Sequence, residues 1–397
     1  MWHRTPLPDL LIGETALHHG LGVVHVDSDY DRIAEIRPLI VRRLGGRRQP
    51  LPPGGTPTRW WTPHRRLRHR RPGNLLPMPA VGFHASHVQL PPSELLDAVR
   101  LAKSAGFTAA MSSDHFTPWS TRQGESGFAW SWLGAAMQAT ALPFGVVTAP
   151  GQRYHPAIVA QANRHPGRDS PGPPLGRPRL RRGLQRAHHG RSLARQGRPQ
   201  RAPPRVRARD PGPAPGEEVS LDGHVRVDRA RLWTLPVEPP PLVGAALTPE
   251  TAAWVTGWAD ALVTIHQPPD VLGRLIDAFR DHGGEDKPVY VQCHLSWAPD
   301  EDEALRIAHD QWRTNVFPSP LMADLERVDQ FEMAAAHVRP DDVRSAVLVS
   351  DDTGRHLAWL REVLDAGAEG VYLHHVGKEQ RPFIETFGEK VLPELLS

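Results

Sequence analysis

The 397-residue chain has one cysteine, four tyrosines and six methionines, and its apolar share is only 39%. The single Cys293 excludes an internal disulfide framework and any all-thiolate metal site. Set among apolar neighbours, it reads as core packing. No run of about 18 apolar residues occurs, which excludes a helix long and apolar enough to cross a membrane. The opening Met1-Trp2-His3-Arg4-Thr5-Pro6 lacks the apolar stretch of a secretion signal, so a cytoplasmic location is expected. Acid is missing locally. Residues 42–72 hold ten Arg and no Asp or Glu, and residues 163–216 hold fourteen Arg against two Asp. Neither stretch contains a lysine. They carry +10 and +12 in a chain whose net charge is +3, so the remainder carries −19. The 42 prolines are about twice the usual share of roughly 5%. Without apolar periodicity the basic stretches cannot bury a core, and they are expected to be disordered. Arginines bind phosphates non-specifically. Without interleaved aromatics, no ordered nucleic-acid recognition is expected.

Three regions follow from these contrasts: 1–44, a basic linker over 45–77, and 78–397 interrupted at 163–216. In the first, Asp9-Leu10-Leu11-Ile12 opens a helix-like run, Leu21–Val26 reads as a short strand, and Asp27-Ser28-Asp29-Tyr30 follows it. This piece resembles the C-terminal third of a PIN-domain ribonuclease of the toxin type. The resemblance would make Asp9 and Asp27 metal ligands for Mg²⁺- or Mn²⁺-dependent RNA cleavage. Hard divalent cations want several oxygens converging on one point, and the half of that family's domain holding its other acids is missing. Acids that cap a helix and a loop are the competing reading.

From Met78 the texture changes to alternating strand and helix signals. Strands are expected at Val81–Ser86, Phe107–Met111, Phe144–Val147, Leu242–Leu247, Ala261–Ile265, Val289–Leu295 and Val371–His375. Helices are expected after Pro91-Pro92, over Ser131–Ala141, from Pro156, and over Pro249–Trp258, Pro269–His282, Glu301–Asn315 and Arg355–Ala366. Alternation over about 300 residues fits a parallel α/β barrel or a doubly wound sheet. Seven strands are one short of the eight that close a (β/α)8 barrel.

Ser113-Asp114-His115-Phe116-Thr117-Pro118-Trp119 ends the second strand. Ala85-Ser86-His87-Val88-Gln89 follows the first, and Arg153-Tyr154-His155-Pro156 follows the third. Together with Ser126-Gly127-Phe128-Ala129-Trp130-Ser131-Trp132, these motifs resemble the luciferase-like oxidoreductases, near the F420-dependent glucose-6-phosphate dehydrogenases and their FMN-type relatives. The resemblance covers Val81–Gln161 and Glu217–Leu396. It implies a (β/α)8 TIM barrel binding FMN or coenzyme F420, and hydride transfer or monooxygenation on a small organic substrate. A homodimer is in keeping with it. Asp114 would accept hydrogen bonds from the cofactor. His115 would be the proton donor or acceptor, a role suited to an ordinary imidazole pKa of about 6.5, and Trp119 would stack beside the ring system. Val146-Val147 match the place of a non-prolyl cis bulge beneath the flavin. Ala245-Ala246 match the fifth-strand backbone facing it. Each residue has a bland counterpart, such as an N-cap Asp, a loop His or a packing Trp; the joint motif favours the functional reading.

The fourth βα unit of that family, with a Gly-x-Gly-Glu loop whose Glu is catalytic in the glucose-6-phosphate enzymes, is disrupted here. Its place is taken by the Pro/Arg stretch 163–216. Codon degeneracy allows this stretch, read one base later, to encode a strand, a Gly-Ser-Gly-Glu loop and an amphipathic helix. A double frameshift, near codons 162 and 216, is therefore expected, and with it an impaired oxidoreductase. The alternatives are a PIN-type ribonuclease from residues 1–44 and a basic RNA-binding adaptor.

Overall fold

The computed structural model describes residues 23–25, 41–43, 79–149, 153–164, 180–181, 216–221, 225–236 and 240–397. The chain divides into two units, Met1–His69 and Arg70–Ser397. In the first, the described residues are two short parallel strands, β1 (Val23–His25) and β2 (Val41–Arg43). β1 falls inside the expected strand; β2 was not expected, because its two arginines open the basic stretch. Asp9 and Asp27 lie outside the described residues, as does all of the expected linker 45–77.

The second unit is built on parallel strands. In chain order they are β3 (Ala80–Ala85), β4 (Ala109–Ser113), β5 (Phe144–Val147), β6 (Leu180–Arg181), β9 (Val243–Ala245), β10 (Ala261–Ile265), β11 (Val289–Ser296) and β13 (Gly370–His375). Between them lie an antiparallel hairpin of β7 (Val219–Leu221) and β8 (Val227–Ala230), and β12 (Leu348–Val349) at the end of β11. The sheet runs β6-β5-β4-β3-β13-β11-β10-β9. Its two ends, β6 and β9, come within 8 Å Cα to Cα, yet no ladder joins them among the described residues. An eighth strand thus occupies the fourth position, where seven were expected. It is only two residues long, pairing Val146 with Leu180 and Val147 with Arg181.

Period-2 alternation sorts side chains to the two faces of each strand. On the outer face, Val81, Phe83, Val291, Leu295, Val371 and Leu373 pack against the helices. Helix α1 (Pro92–Ser104) shows how the sequence makes that layer. Pro92 starts it, where a missing N–H costs nothing. Leu95, Ala98, Val99 and Ala102 form one buried stripe, each large apolar side chain contributing about 1.5–3 kcal/mol. Gly106, at φ +101°, ends it. Further helices run over α2 (Ala129–Ala139), α3 (Pro156–Arg164), α4 (Pro249–Val255), α5 (Pro269–Phe279), α6 (Glu301–Trp312) and α9 (Thr353–Asp365). The short α7 (Ser319–Asp324) and α8 (Val328–Ala334), and the closing α10 (Gln380–Lys390) and α11 (Leu392–Leu396), were not expected from sequence. On the inner face, Met111, Val243, Val263, Tyr290 and Tyr372 fill the barrel. Gly82 is required there: a Cβ would sit 2.2 Å from the Tyr372 ring.

Candidate active site

All eight strands run in one direction, so their C-terminal ends share one rim, where barrel enzymes carry their chemistry. The motif residues lie on it. The Asp114 N–H donates to Val147 O (2.8 Å), which ties the end of β4 to the end of β5. The Asp114 carboxylate is wholly buried and taken by three groups of the segment after β5. Thr148 Oγ1 donates to Oδ2 (2.9 Å), Tyr154 OH donates to Oδ1 (3.2 Å), and Arg153 Nη1 stands 2.9 Å from Oδ1. Burial, and then the Asp114 charge, push the Tyr154 hydroxyl well above its usual range. Asp114 therefore clamps the β5 segment onto β4, and its oxygens face protein donors rather than open space. Arg153 also lies over the Phe116 and Tyr154 rings, at 5.8 and 5.1 Å.

His115 is half-buried next to this clamp. The Trp119 ring stands edge-on to it at 5.5 Å, and Phe331 of α8 holds the other side of Trp119 at 5.3 Å. Val147 and Ala245 belong to the inner cluster. Ala246 turns outward to pack with the helix layer, and its N–H donates to Val263 O (3.2 Å). Val146 is in the outer phase of β5 and pairs with Ser112 on β4. The structure thus brings Asp114, His115, Trp119, Val147 and Ala245 to one end of the barrel, and alternation turns Ala246 away from its interior.

Sequence reasoning missed the inward residues of the rim. His84 (β3), Gln292 and His294 (β11) and His374 (β13) all share the inner phase of their strands. His84 stacks on His374 at 4.2 Å, and its Nε2 pairs with Ser113 Oγ at 3.1 Å. His374 also meets His294 at 5.3 Å and Trp312 at 4.8 Å. Burial, followed by the neighbouring imidazoles His84, His294, His375 and His115, holds the His374 pKa well below the usual value. The signal was present in Val289–Ser296: Val, Val, Cys and Leu alternate with Tyr, Gln, His and Ser. A polar phase inside a buried strand points to a lined interior.

A chain of amides joins this floor to Trp119. His374 Nε2 meets Gln89 Oε1 (2.8 Å), and Gln89 Nε2 reaches Val376 O and Gln311 Oε1. The Gln311 carbonyl accepts from Gln123 Nε2 (3.0 Å), and Gln123 Oε1 accepts from the Trp119 N–H (2.9 Å). No group of three or more His, Cys, Asp or Glu suited to a metal ion occurs among the described residues. No helix among them is long and apolar enough to cross a membrane. His87, after β3, is buried against Trp132 (4.8 Å), and burial lowers its pKa to about 4.

With this geometry in view, the similarities to known proteins fall into place. Residues 212–371 match the luciferase-like monooxygenase family. The match begins at the end of the second basic stretch. The F420-dependent hydroxymycolic acid dehydrogenase of Mycobacterium tuberculosis is 31% identical over 331 residues, covering 79% of this chain and 88% of that protein. The F420-dependent glucose-6-phosphate dehydrogenase of Nakamurella multipartita is 27% identical over 335 residues, covering 79% and 96%. An F420-dependent secondary alcohol dehydrogenase, solved with an F420-acetone adduct, superimposes with a TM-score of 0.67 at 23% identity, covering 80% of this chain and 99% of its own. The chain belongs to the luciferase-like family and is an oxidoreductase.

Proposed function

We propose that this oxidoreductase oxidises a neutral alcohol with F420 or FMN as the electron acceptor, His115 taking the hydroxyl proton. One observation carries this reading. Among the described side chains, the inward positions of the rim (His84, Ser113, Val147, Gln292, His294, His374) hold imidazoles, an amide, a hydroxyl and one small apolar group, with no carboxylate and no Lys or Arg. Such a lining solvates a hydroxyl or carbonyl oxygen by hydrogen bonds and does not compensate a phosphate dianion.

The basic candidates for a sugar-phosphate clamp stand elsewhere. Lys287 precedes β11, at the opposite end of the barrel, where its Nζ donates to Thr256 O (2.6 Å). Arg153 is paired with the buried Asp114 carboxylate. Lys378 is exposed on the turn after β13, outside the inward set.

The donor set fits a flat ring system. Val147 and Ala245 are small inner-cluster side chains, and the His115 and Trp119 rings stand edge to face at the end of β4. When bound, the cofactor supplies the two-electron sink that receives hydride from the alcohol carbon. This chain's own part is to orient the hydroxyl, exclude water through the Trp119–Phe331 wall, and take the proton from the substrate oxygen onto the His115 imidazole. The names of two similar proteins, a hydroxymycolic acid dehydrogenase and a secondary alcohol dehydrogenase, are in keeping with a hydroxyl-bearing substrate. The fourth strand is only two residues long, so we expect weak cofactor binding by the chain as written.

The test is a fluorescence titration of the full chain with F420 and with FMN, followed by turnover of 2-propanol and of glucose 6-phosphate. Saturable quenching with oxidation of the alcohol only is expected. Preference for glucose 6-phosphate would overturn the substrate class, and flavin-dependent oxygen consumption without alcohol oxidation would favour a monooxygenase.

A further inference from the structure

We propose that Gln292 is a positioning residue that holds His374 and His294 in fixed, uncharged tautomers, so that the floor of the site leaves the reaction's proton to His115. The tautomers and charge states go beyond the oxidoreductase reading; only their catalytic consequence rests on it.

A backbone carbonyl can only accept a hydrogen bond. The Val376 carbonyl receives Gln89 Nε2, which fixes the orientation of the Gln89 amide. The same nitrogen's second hydrogen faces Gln311 Oε1 (3.4 Å). Gln89 Oε1 must then be the atom turned to His374 Nε2, at 2.8 Å. An oxygen acceptor at that distance requires the proton on His374 Nε2. A neutral imidazole has one N–H, so His374 Nδ1 is an acceptor, and Gln292 Nε2 donates to it (3.3 Å). The other hydrogen of that amide nitrogen reaches His294 Nε2 (3.1 Å). That nitrogen accepts too, and the His294 proton is left on Nδ1. One NH₂ group thus sets two rings.

Turning the Gln292 amide over is the sole alternative. Oxygen would then face His374 Nδ1, which would need a second proton and make the ring a buried cation. The groups facing His374 oppose this. They are His84 stacked upon it, His294 and Trp312 beside it, His375 of its own strand, and His115 of the β4 segment. Among the described residues, the groups facing it include no carboxylate. The floor is therefore a neutral hydrogen-bonding surface, and the one acceptor nitrogen of His374 is already taken by Gln292 when a proton is released at the rim.

The experiment is long-range ¹H–¹⁵N correlation spectroscopy of the full chain labelled with ¹⁵N-histidine, from pH 5.5 to 8.5. The His374 and His294 signals are assigned by their loss in His374→Gln and His294→Gln. In the unsubstituted protein, His374 is expected to show the Nε2–H pattern, His294 the Nδ1–H pattern, and neither to titrate. In Gln292→Glu the carboxylate accepts where the amide donated, and at least one of the two rings is expected to titrate with a midpoint above pH 6. The pH profile of kcat/KM then gains a second ionisation. The opposite tautomer of His374 or His294, or titration of either ring within the range, would overturn the proposal from the unsubstituted protein alone. A folded Gln292→Glu protein in which both rings stay silent would do the same. Failure of cofactor binding or turnover would count against the oxidoreductase reading while leaving these spectra decisive for the tautomers.

Discussion

The two seams of the barrel are unequal. Where β13 meets β11, six residue pairs run in register from Tyr290 with Gly370 to Leu295 with His375. Where β5 meets β6 there are two pairs, and between β6 and β9 no ladder exists among the described residues. The first seam carries His294 and His374; the second lies where the family's fourth βα unit belongs. An interrupted ladder leaves strand edges with unpaired donors and acceptors. Half of the rim is thus deeply stitched and presents a finished set of side chains, while the other half limits what the rim can hold.

Replacing 163–216 with the βα unit that codon degeneracy allows in the shifted reading frame should have the largest effect. It should tighten F420 or FMN binding at least tenfold in a fluorescence titration and raise the urea midpoint; equal affinity would mean that the seam is not limiting. Asp114→Asn should come next. It leaves the Arg153 charge buried without its partner, at a cost of about 3–5 kcal/mol by urea unfolding. The double variant Asp114→Asn, Arg153→Met should recover part of that. Phe83→Ala, in the well-stitched half against Phe107, should cost a similar 3–5 kcal/mol or slightly less.

Acid should separate the molecule's two kinds of histidine. Burial lowers His87 and His356 to about 4 and His375 to about 3, against an ordinary value near 6.5. The unfolded chain then binds more protons than the folded one below about pH 6.5. Stability is full above that pH and falls as pH drops toward 4, by up to about 1.4 kcal/mol per pH unit for each such histidine. Urea midpoints at pH 7 and pH 5 should differ accordingly, and a flat profile would show that these rings are hydrated. Arg274→Ala, which removes an exposed ion pair with Asp270, should change stability by less than about 1 kcal/mol.

The motif Asp114-His115-Phe116-Thr117-Pro118-Trp119 was legible because it stands where an apolar strand stops and a polar turn begins. The seven sheet strands expected from sequence were legible for the same reason. Strands of a parallel sheet are buried on both faces, and their runs of Val, Ile and Leu are conspicuous. The rim histidines were harder to read. Within such a run, His84 or His374 looks like an interruption until the phase of the strand is known. Val146-Val147 and Ala245-Ala246 were named as backbone positions; which of their side chains faces inward depends on the strand phase, since neighbouring residues face opposite ways. The two-residue β6 has no local signal at all, being an Arg-rich stretch held by its neighbour β5.

By itself the sequence determined the class of architecture, the family, and the stretch of chain that breaks the family's pattern. These depend on local composition, periodicity and motif order, which a chain carries without folding. Only the tertiary structure decided that Asp114 is spent on Thr148, Arg153 and Tyr154, and that His84, Gln292, His294 and His374 meet at one rim. Those contacts join residues as many as 290 positions apart, and closure of the sheet brings them together by choosing which face of each strand points inward.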